Sequence, residues 1–114
     1  MNSIVEKPWG YFEIINTGKK YLFKKIVVKP QGILSLQSHQ HRSEHWIIAE
    51  GKAEVTINGK ITLLTENQNI YIPKGAVHRL SNKSDTKLIV FEMWYGEILD
   101  ENDIKRYEDI YERV

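Results

Sequence analysis

The chain has 114 residues, 41% hydrophobic and 27% charged, with 16 Lys and Arg against 15 Asp and Glu for a formal net charge of +1. That length suits one domain with its own core, and the near-neutral balance gives no basis for nucleic-acid or membrane-surface partners. With no cysteine present, disulfides, thiolate metal ligands and thiol nucleophiles are excluded.

The opening MNSIVEKPWGYFEI lacks the apolar core of a signal peptide, and no apolar run reaches transmembrane length, so a cytoplasmic protein is expected. Residues 1–8 read as a loose arm ending at Pro8, with Trp9-Gly10 opening the first ordered element. Residues 11–16 read as a strand, 17–20 as a turn, and 21–29 (YLFKKIVVK) as a strand rich in aromatic and β-branched types. Pro30-Gln31-Gly32 breaks it, and a strand resumes over 33–39. Strands over 45–49 and 53–57 follow, the second ending at Asn58-Gly59, a pair that favours a tight hairpin, with 61–64 as the return strand. Residues 69–72 lead into Pro73, and 87–95 (KLIVFEMWY) form the last long strand. Short strands closely spaced between turn signals predict an all-β sandwich or barrel. The tail differs. In DENDIKRYEDIYER, Ile104, Tyr107, Ile110 and Tyr111 recur at helical spacing, with Asp100 or Asn102 as N-cap, which predicts a short C-terminal helix on the outside.

Chemistry concentrates in two stretches. GILSLQSHQHRSEHWIIAEG, residues 32–51, carries His39, His41 and His45, and PKGAVHRLSN, residues 73–82, carries His78. Strand alternation puts Gln37 and His39 on one face. The following loop lets Glu44 reach the same interior, and the Pro73-Lys74-Gly75 turn delivers His78. An amide oxygen, two imidazoles and a carboxylate suit one hard or borderline divalent ion such as Zn, Mn, Fe or Mg; an all-oxygen Ca site would not recruit imidazoles. His39, His41, His45 and His78 form the rival set. The first is preferred because the Glu44-x6-Gly51 spacing fits and because an inward Glu neutralises a dication better than a third imidazole.

Three more residues stand out. Lys24 shares parity with Ile26 and Val28, and an inward lysine costs desolvation unless paired or used. It is a candidate for phosphate binding or proton transfer, against the plainer alternative of a strand-end lysine reaching back to solvent. Glu92 interrupts LIVFEMWY with the parity of Leu88, Val90 and Trp94, and is a candidate acid or base, against a structural pairing with Lys24 or an arginine. Arg79, next to His78, is a candidate clamp for phosphate or for developing negative charge, although alternation turns it to the opposite face.

The Q-x-H-x4-E-x6-G and P-x-G-x2-H-x3-N stretches resemble the two cupin motifs. More narrowly, LSLQSHQHRSEHWIIAEGKAEVTINGK, LLTENQNIYIPKGAVHRLSN and DIKRYEDIYER look like the type II phosphomannose isomerases, usually the C-terminal domain of bifunctional mannose-1-phosphate guanylyltransferase/mannose-6-phosphate isomerases. The likeness runs from Lys7-Pro8-Trp9-Gly10 to Arg113. It implies one cupin domain over residues 1–114, a jelly-roll β-barrel, here without the nucleotidyltransferase domain. It also implies a divalent metal, zinc first with Mn, Fe, Co or Ni as alternatives, on Gln37, His39, Glu44 and His78. The implied reaction interconverts mannose 6-phosphate and fructose 6-phosphate through a cis-enediolate. Glu92, Lys24 or Glu44 would act as base, and Arg79, which takes the place of the family's catalytic arginine, would hold phosphate or enediolate charge with Lys24. A homodimer through an exchanged or edge-paired N-terminal strand is expected. Two positions depart from the common cupin pattern: Asn67 replaces a glycine and Gln37 a histidine. The alternative function is a non-catalytic, metal-dependent module that binds a sugar phosphate or nucleotide sugar in polysaccharide biosynthesis.

Overall fold

Period-two alternation decides which way each long strand faces. In LIVFEMWY the residues Leu88, Val90, Glu92 and Trp94 are buried, while those between them are partly exposed on the other face. Strands of this kind must bury one face against a second layer. The computed structural model, which describes residues 3–113, solves this with two antiparallel sheets packed face to face. Numbered in chain order, the larger sheet runs spatially as β1 (Ser3–Lys7), β2 (Gly10–Thr17), β3 (Tyr21–Val28), β10 (Leu88–Tyr95), β5 (Ser43–Glu50) and β8 (Asn69–Ile72). The smaller runs as β11 (Lys105–Glu108), β4 (Leu36–Ser38), β9 (His78–Ser81), β6 (Ala53–Ile57) and β7 (Lys60–Leu64).

The interior has two ends of different chemistry. At one end Val28, Ile48, Val55, Leu88 and Val90 are all 0% exposed and form the apolar core with Leu80 and Leu64. Asn82 closes that end, its amide donating to the carbonyls of Val28, Lys29 and Thr86 at 3.1, 3.1 and 2.8 Å. At the other end the same strands turn polar: Glu92 of β10 lies opposite Lys24 of β3 and Trp46 of β5, and Trp94 lies opposite Glu44.

Turn chemistry sets the register. Asn58 and Gly59 both take positive φ, +47° and +84°, the conformation a two-residue hairpin between β6 and β7 requires. At Gly51 (φ +91°) a Cβ would sit 2.6 Å from the Lys87 carbonyl oxygen, so glycine is needed where β5 leaves the sheet. Asn67, standing in place of a glycine, takes φ +71°, which asparagine tolerates better than most residues.

Two expectations are corrected. Residues 3–7 are not a loose arm: Ser3 to Lys7 pair with Ile14 to Gly10, so β1 adds an edge strand to its own sheet. Residues 78–81 form strand β9, as the alternation of His78 and Arg79 requires. The C-terminal helix does not form, and among the described residues there is no helix at all. Its aspartates do other work. Asp100 and Asp109 accept N–H bonds from Asn102 and Tyr111, two residues on, and these local bonds compete with a helix. Lys105 and Arg106 then pair with Ser38 and Gln37, satisfying the edge of β4. Accordingly no helix of the described residues is long and apolar enough to cross a membrane.

Candidate metal centre

The three ionisable groups expected to hold a metal come together. β4 ends beside His39, β5 brings Glu44 inward with Trp46 and Ile48, and β9 opens with His78, whose register partner is Gln37. One ligand atom from each of His39, Glu44 and His78 lies within 4.8 Å of the others, and all three residues are buried. His39 Nε2 is 3.2 Å from Glu44 Oε2, and His78 Nε2 is 3.7 Å from Glu44 Oε1.

Both imidazoles are oriented from behind. His39 Nδ1 lies 2.7 Å from the Asp103 carbonyl and His78 Nδ1 lies 3.0 Å from the Ala76 carbonyl. A carbonyl only accepts, so Nδ1 carries the proton on each ring and Nε2 presents a lone pair to the interior. Burial, with the Arg42 charge second, lowers the His39 pKa to about 4, and burial lowers that of His78 as well. Both rings are therefore neutral at neutral pH, the state a metal ligand needs. His78 Nε2 is buried and has no hydrogen-bond partner among the described residues. An orphaned lone pair facing a second imidazole and a carboxylate fits a divalent cation, and mixed N/O donors fit zinc. Gln37 stands across from His78, half-buried, its amide nitrogen donating to Ser35 Oγ at 2.9 Å. Its oxygen makes no hydrogen bond among the described residues.

The rival histidines lie elsewhere. His41 is exposed, and His45 is exposed on the outer face of β5, where its ring packs 4.8 Å from that of Tyr71.

Lys24 and Glu92 point inward as their parity predicts, 3% and 5% exposed. The Lys24 ammonium sits 3.9 and 4.0 Å from the Phe12 and Trp94 ring centroids, 3.1 Å from Glu101 and 3.8 Å from Glu92. Glu92 accepts indole N–H bonds from Trp46 and Trp94, both at 2.7 Å. Burial, then the nearby Glu44 charge, raises its pKa to about 7, so it exchanges a proton near neutrality. Trp46 shares its N–H with Glu44 at 3.1 Å and so links the metal cluster to Glu92.

Arg79 is placed differently from the clamp expected of it. Its Nε donates to the Leu34 carbonyl at 3.0 Å and its Nη1 to Glu108 at 2.7 Å, on the face of β9 opposite His78. It does not line the cavity, so the role has no geometric support at this position. The guanidinium at the cluster belongs to Arg42. Its Nε donates to Glu44 at 2.8 Å, its Nη2 lies 3.2 Å from His39 Nε2, and its Cζ stacks 3.4 Å from the Trp94 ring. A signal for Arg42 does exist in the sequence: the buried parity of Trp46 and Glu44 continues back to position 42.

Lys24, Gln37, Arg42, Glu44, His78 and Glu92 line a cavity of about 230 Å³, with further lining from β1 and the C-terminal segment. A two-sheet barrel carrying a buried His/Glu/His cluster at its open end is a cupin. Solved structures agree on the fold. The capsular polysaccharide assembling protein CapF from Staphylococcus aureus superposes with a TM-score of 0.80 at 21% identity, covering 96% of this chain and 35% of that one. An RmlC-like cupin from Shewanella frigidimarina gives 0.75 at 17% identity, covering 89% and 87%.

Sequence comparison narrows the class. A family model described as mannose-6-phosphate isomerase C-terminal matches residues 1–109, and the chain belongs to that family. It is 47% identical over 114 residues to the mannose-1-phosphate guanylyltransferase ManC of Salmonella typhimurium, covering 100% of this chain and 24% of that protein. It is 48% identical over 110 residues to the alginate biosynthesis protein AlgA of Pseudomonas aeruginosa, covering 96% and 23%. The chain thus spans about a quarter of the length of these relatives.

Proposed function

We propose that the chain interconverts mannose 6-phosphate and fructose 6-phosphate. One observation carries this reading: in a chain of the isomerase family, two neutral imidazoles and a carboxylate converge beside a buried, proton-exchanging Glu92. His39, Glu44 and His78, with Gln37 as a fourth donor, would hold a divalent ion, zinc first. When bound, such an ion supplies Lewis-acid polarisation of adjacent oxygens.

The remaining steps fall to side chains of the cavity. Glu92 removes the C2 proton of open-chain mannose 6-phosphate and returns it to C1, while a hydroxyl proton passes from the C2 oxygen to the C1 oxygen. Two indole donors fix the Glu92 carboxyl in one orientation. Arg42, stacked on Trp94, faces the negative charge that develops on the sugar oxygens. Lys24 is already surrounded by two rings and two carboxylates, which suits it to keeping Glu92 partly ionised rather than to acting as the base.

A coupled assay for fructose 6-phosphate tests the reading. Turnover should appear with zinc and vanish with chelator and in His39→Ala; no turnover under any metal sinks it. The second reading is a non-catalytic, metal-dependent module that binds a sugar phosphate or nucleotide sugar; the same His/Glu/His cluster and cationic cavity support it. Binding of sugar phosphate without turnover would select it. The homodimer belongs with these proposals: β1 pairs with β2 of its own chain and, among the described residues, has no partner on its outer edge, where a second copy could add. Sedimentation measures this directly.

A further inference from the structure

Five cationic side chains line the cavity: Lys7, Lys24, Arg42, Arg106 and Arg113. Three already have a carboxylate, Arg42 with Glu44 at 2.8 Å, Lys24 with Glu101 at 3.1 Å and Arg113 with Asp109 at 2.6 Å. Lys7 and Arg106 have none among the described residues. Arg106 is half-buried and its Nε is buried without a hydrogen-bond partner, a donor that costs free energy unless something accepts from it. The Lys7 ammonium lies 5.9 Å from the Phe12 centroid and makes no hydrogen bond or ion pair among the described residues.

Register places Arg106 relative to the metal cluster. Arg106 of β11 lies opposite Gln37 of β4, which lies opposite His78 of β9. Residues directly opposite in antiparallel strands share a face, so all three project into the cavity. Two interstrand steps of about 4.8 Å set the Arg106 and His78 backbones roughly 10 Å apart. That separation is on the order of the length of an extended six-carbon sugar, which would set C1 and C2 at the His/Glu/His end and a terminal phosphate at the other. Two unpaired cations match the two negative charges of a phosphate monoester, and a guanidinium binds two of its oxygens at once.

We propose that Arg106 and Lys7 form the phosphate subsite of this cavity, the role the sequence suggests for Arg79 and Lys24. The sugar part rests on the isomerase reading; the phosphate part does not. The test titrates the zinc-loaded full chain with inorganic phosphate and with mannose 6-phosphate by calorimetry, in wild type, Arg106→Gln, Arg106→Lys, Lys7→Gln and Arg79→Gln. Arg106→Gln should weaken both ligands on the order of tenfold to a hundredfold, the loss of one charge-assisted contact. Arg106→Lys should recover part of that loss, Lys7→Gln should show a smaller one, and zinc uptake should be unchanged in all. Phosphate affinity unaltered in Arg106→Gln, or lost instead in Arg79→Gln, overturns the subsite. The two readings fail separately. Phosphate binding that depends on Arg106 in a chain without turnover keeps the subsite and removes the isomerase. Turnover with an unchanged KM in Arg106→Gln does the reverse.

Discussion

Replacing Arg42 with methionine should make the metal-free chain less stable and its metal binding tighter. The guanidinium donates to Glu44 at 2.8 Å, contacts His39 Nε2 at 3.2 Å and donates to the Asp100 carbonyl at 3.3 Å. Its side chain and that of Glu44 are only 5% and 3% exposed. Removing one partner of a buried ion pair costs about 3–5 kcal/mol, because the other charge is left uncompensated. Methionine keeps part of the stacking on Trp94, so the lower figure applies; at about 4 °C per kcal/mol the melting temperature falls by roughly 12 °C. A divalent ion at His39, Glu44 and His78 neutralises the same carboxylate, so the loaded chain loses less. The difference between the two losses must appear as tighter binding. If the ion recovers half, about 1.5 kcal/mol, affinity rises on the order of tenfold. Thermal melts in chelator and in saturating zinc measure the two stabilities, and competition with a chromophoric chelator measures the affinity. Unchanged melting without metal, or weaker zinc binding, would refute the idea that the guanidinium and the cation compete for one place.

His78→Ala removes a ring whose Nε2 has no partner in the metal-free chain, so zinc affinity should fall by at least on the order of a hundredfold, since even outer-shell changes reach that range; equilibrium dialysis against zinc would show it. Glu92→Gln keeps one oxygen for the indoles and turns an amide N–H towards the other indole N–H, so a modest drop in melting temperature is expected, with zinc binding intact and turnover down by about 10²–10⁴-fold; full turnover would remove Glu92 from the mechanism. Burial acts to raise the Asp109 pKa, but bonds from Arg113 and from the Tyr111 and Arg113 amides outweigh it and hold the carboxyl below its ordinary 3.8. A depressed carboxyl stabilises the fold above that value and loses the contribution as pH falls through the folded pKa. Asp109→Asn should therefore melt lower than wild type at neutral pH and converge with it in acid, and parallel acid titrations of the two melting curves would disprove this.

Most of the architecture is legible because alternation is a local property. The buried parity of residues 22, 24, 26 and 28 and of 88, 90, 92 and 94 follows from side-chain chemistry alone, and it places two charged groups in the interior before any contact is known. Asn58-Gly59 likewise fixes a hairpin through its own backbone preference. The edges are not legible in this way. Ser3–Lys7 and Lys105–Glu108 carry no strong strand pattern and become strands because β2 and β4 offer unpaired N–H and C=O groups that need partners. The helical spacing of Ile104, Tyr107, Ile110 and Tyr111 is overridden by that demand. Ile104 lines the cavity, while the Tyr107 hydroxyl lies 3.0 Å from Ser38 Oγ and Tyr111 donates to no helix but accepts from the Ile33 amide at 3.3 Å.

The same division explains the site. Gln37, His39, Glu44 and His78 can be grouped from motif spacing because strand parity and a turn carry each of them inward. Which cation serves the ligand cannot be read this way, since charge neutralisation depends on who stands across the cavity. The possible Lys24–Glu92 pairing is legible from parity, but not that Glu101 also shares the Lys24 charge; alternation turns Arg79 away from His78, and Glu108 holds it on that outer face. Arg106 looks like one of many charges in a polar tail, yet its register with Gln37 points it at the cavity with no acid to meet it. Pairing each inward cation with its carboxylate leaves Lys7 and Arg106 over. These two, from opposite ends of the chain, line the same cavity, and a bound anion would complete their charge.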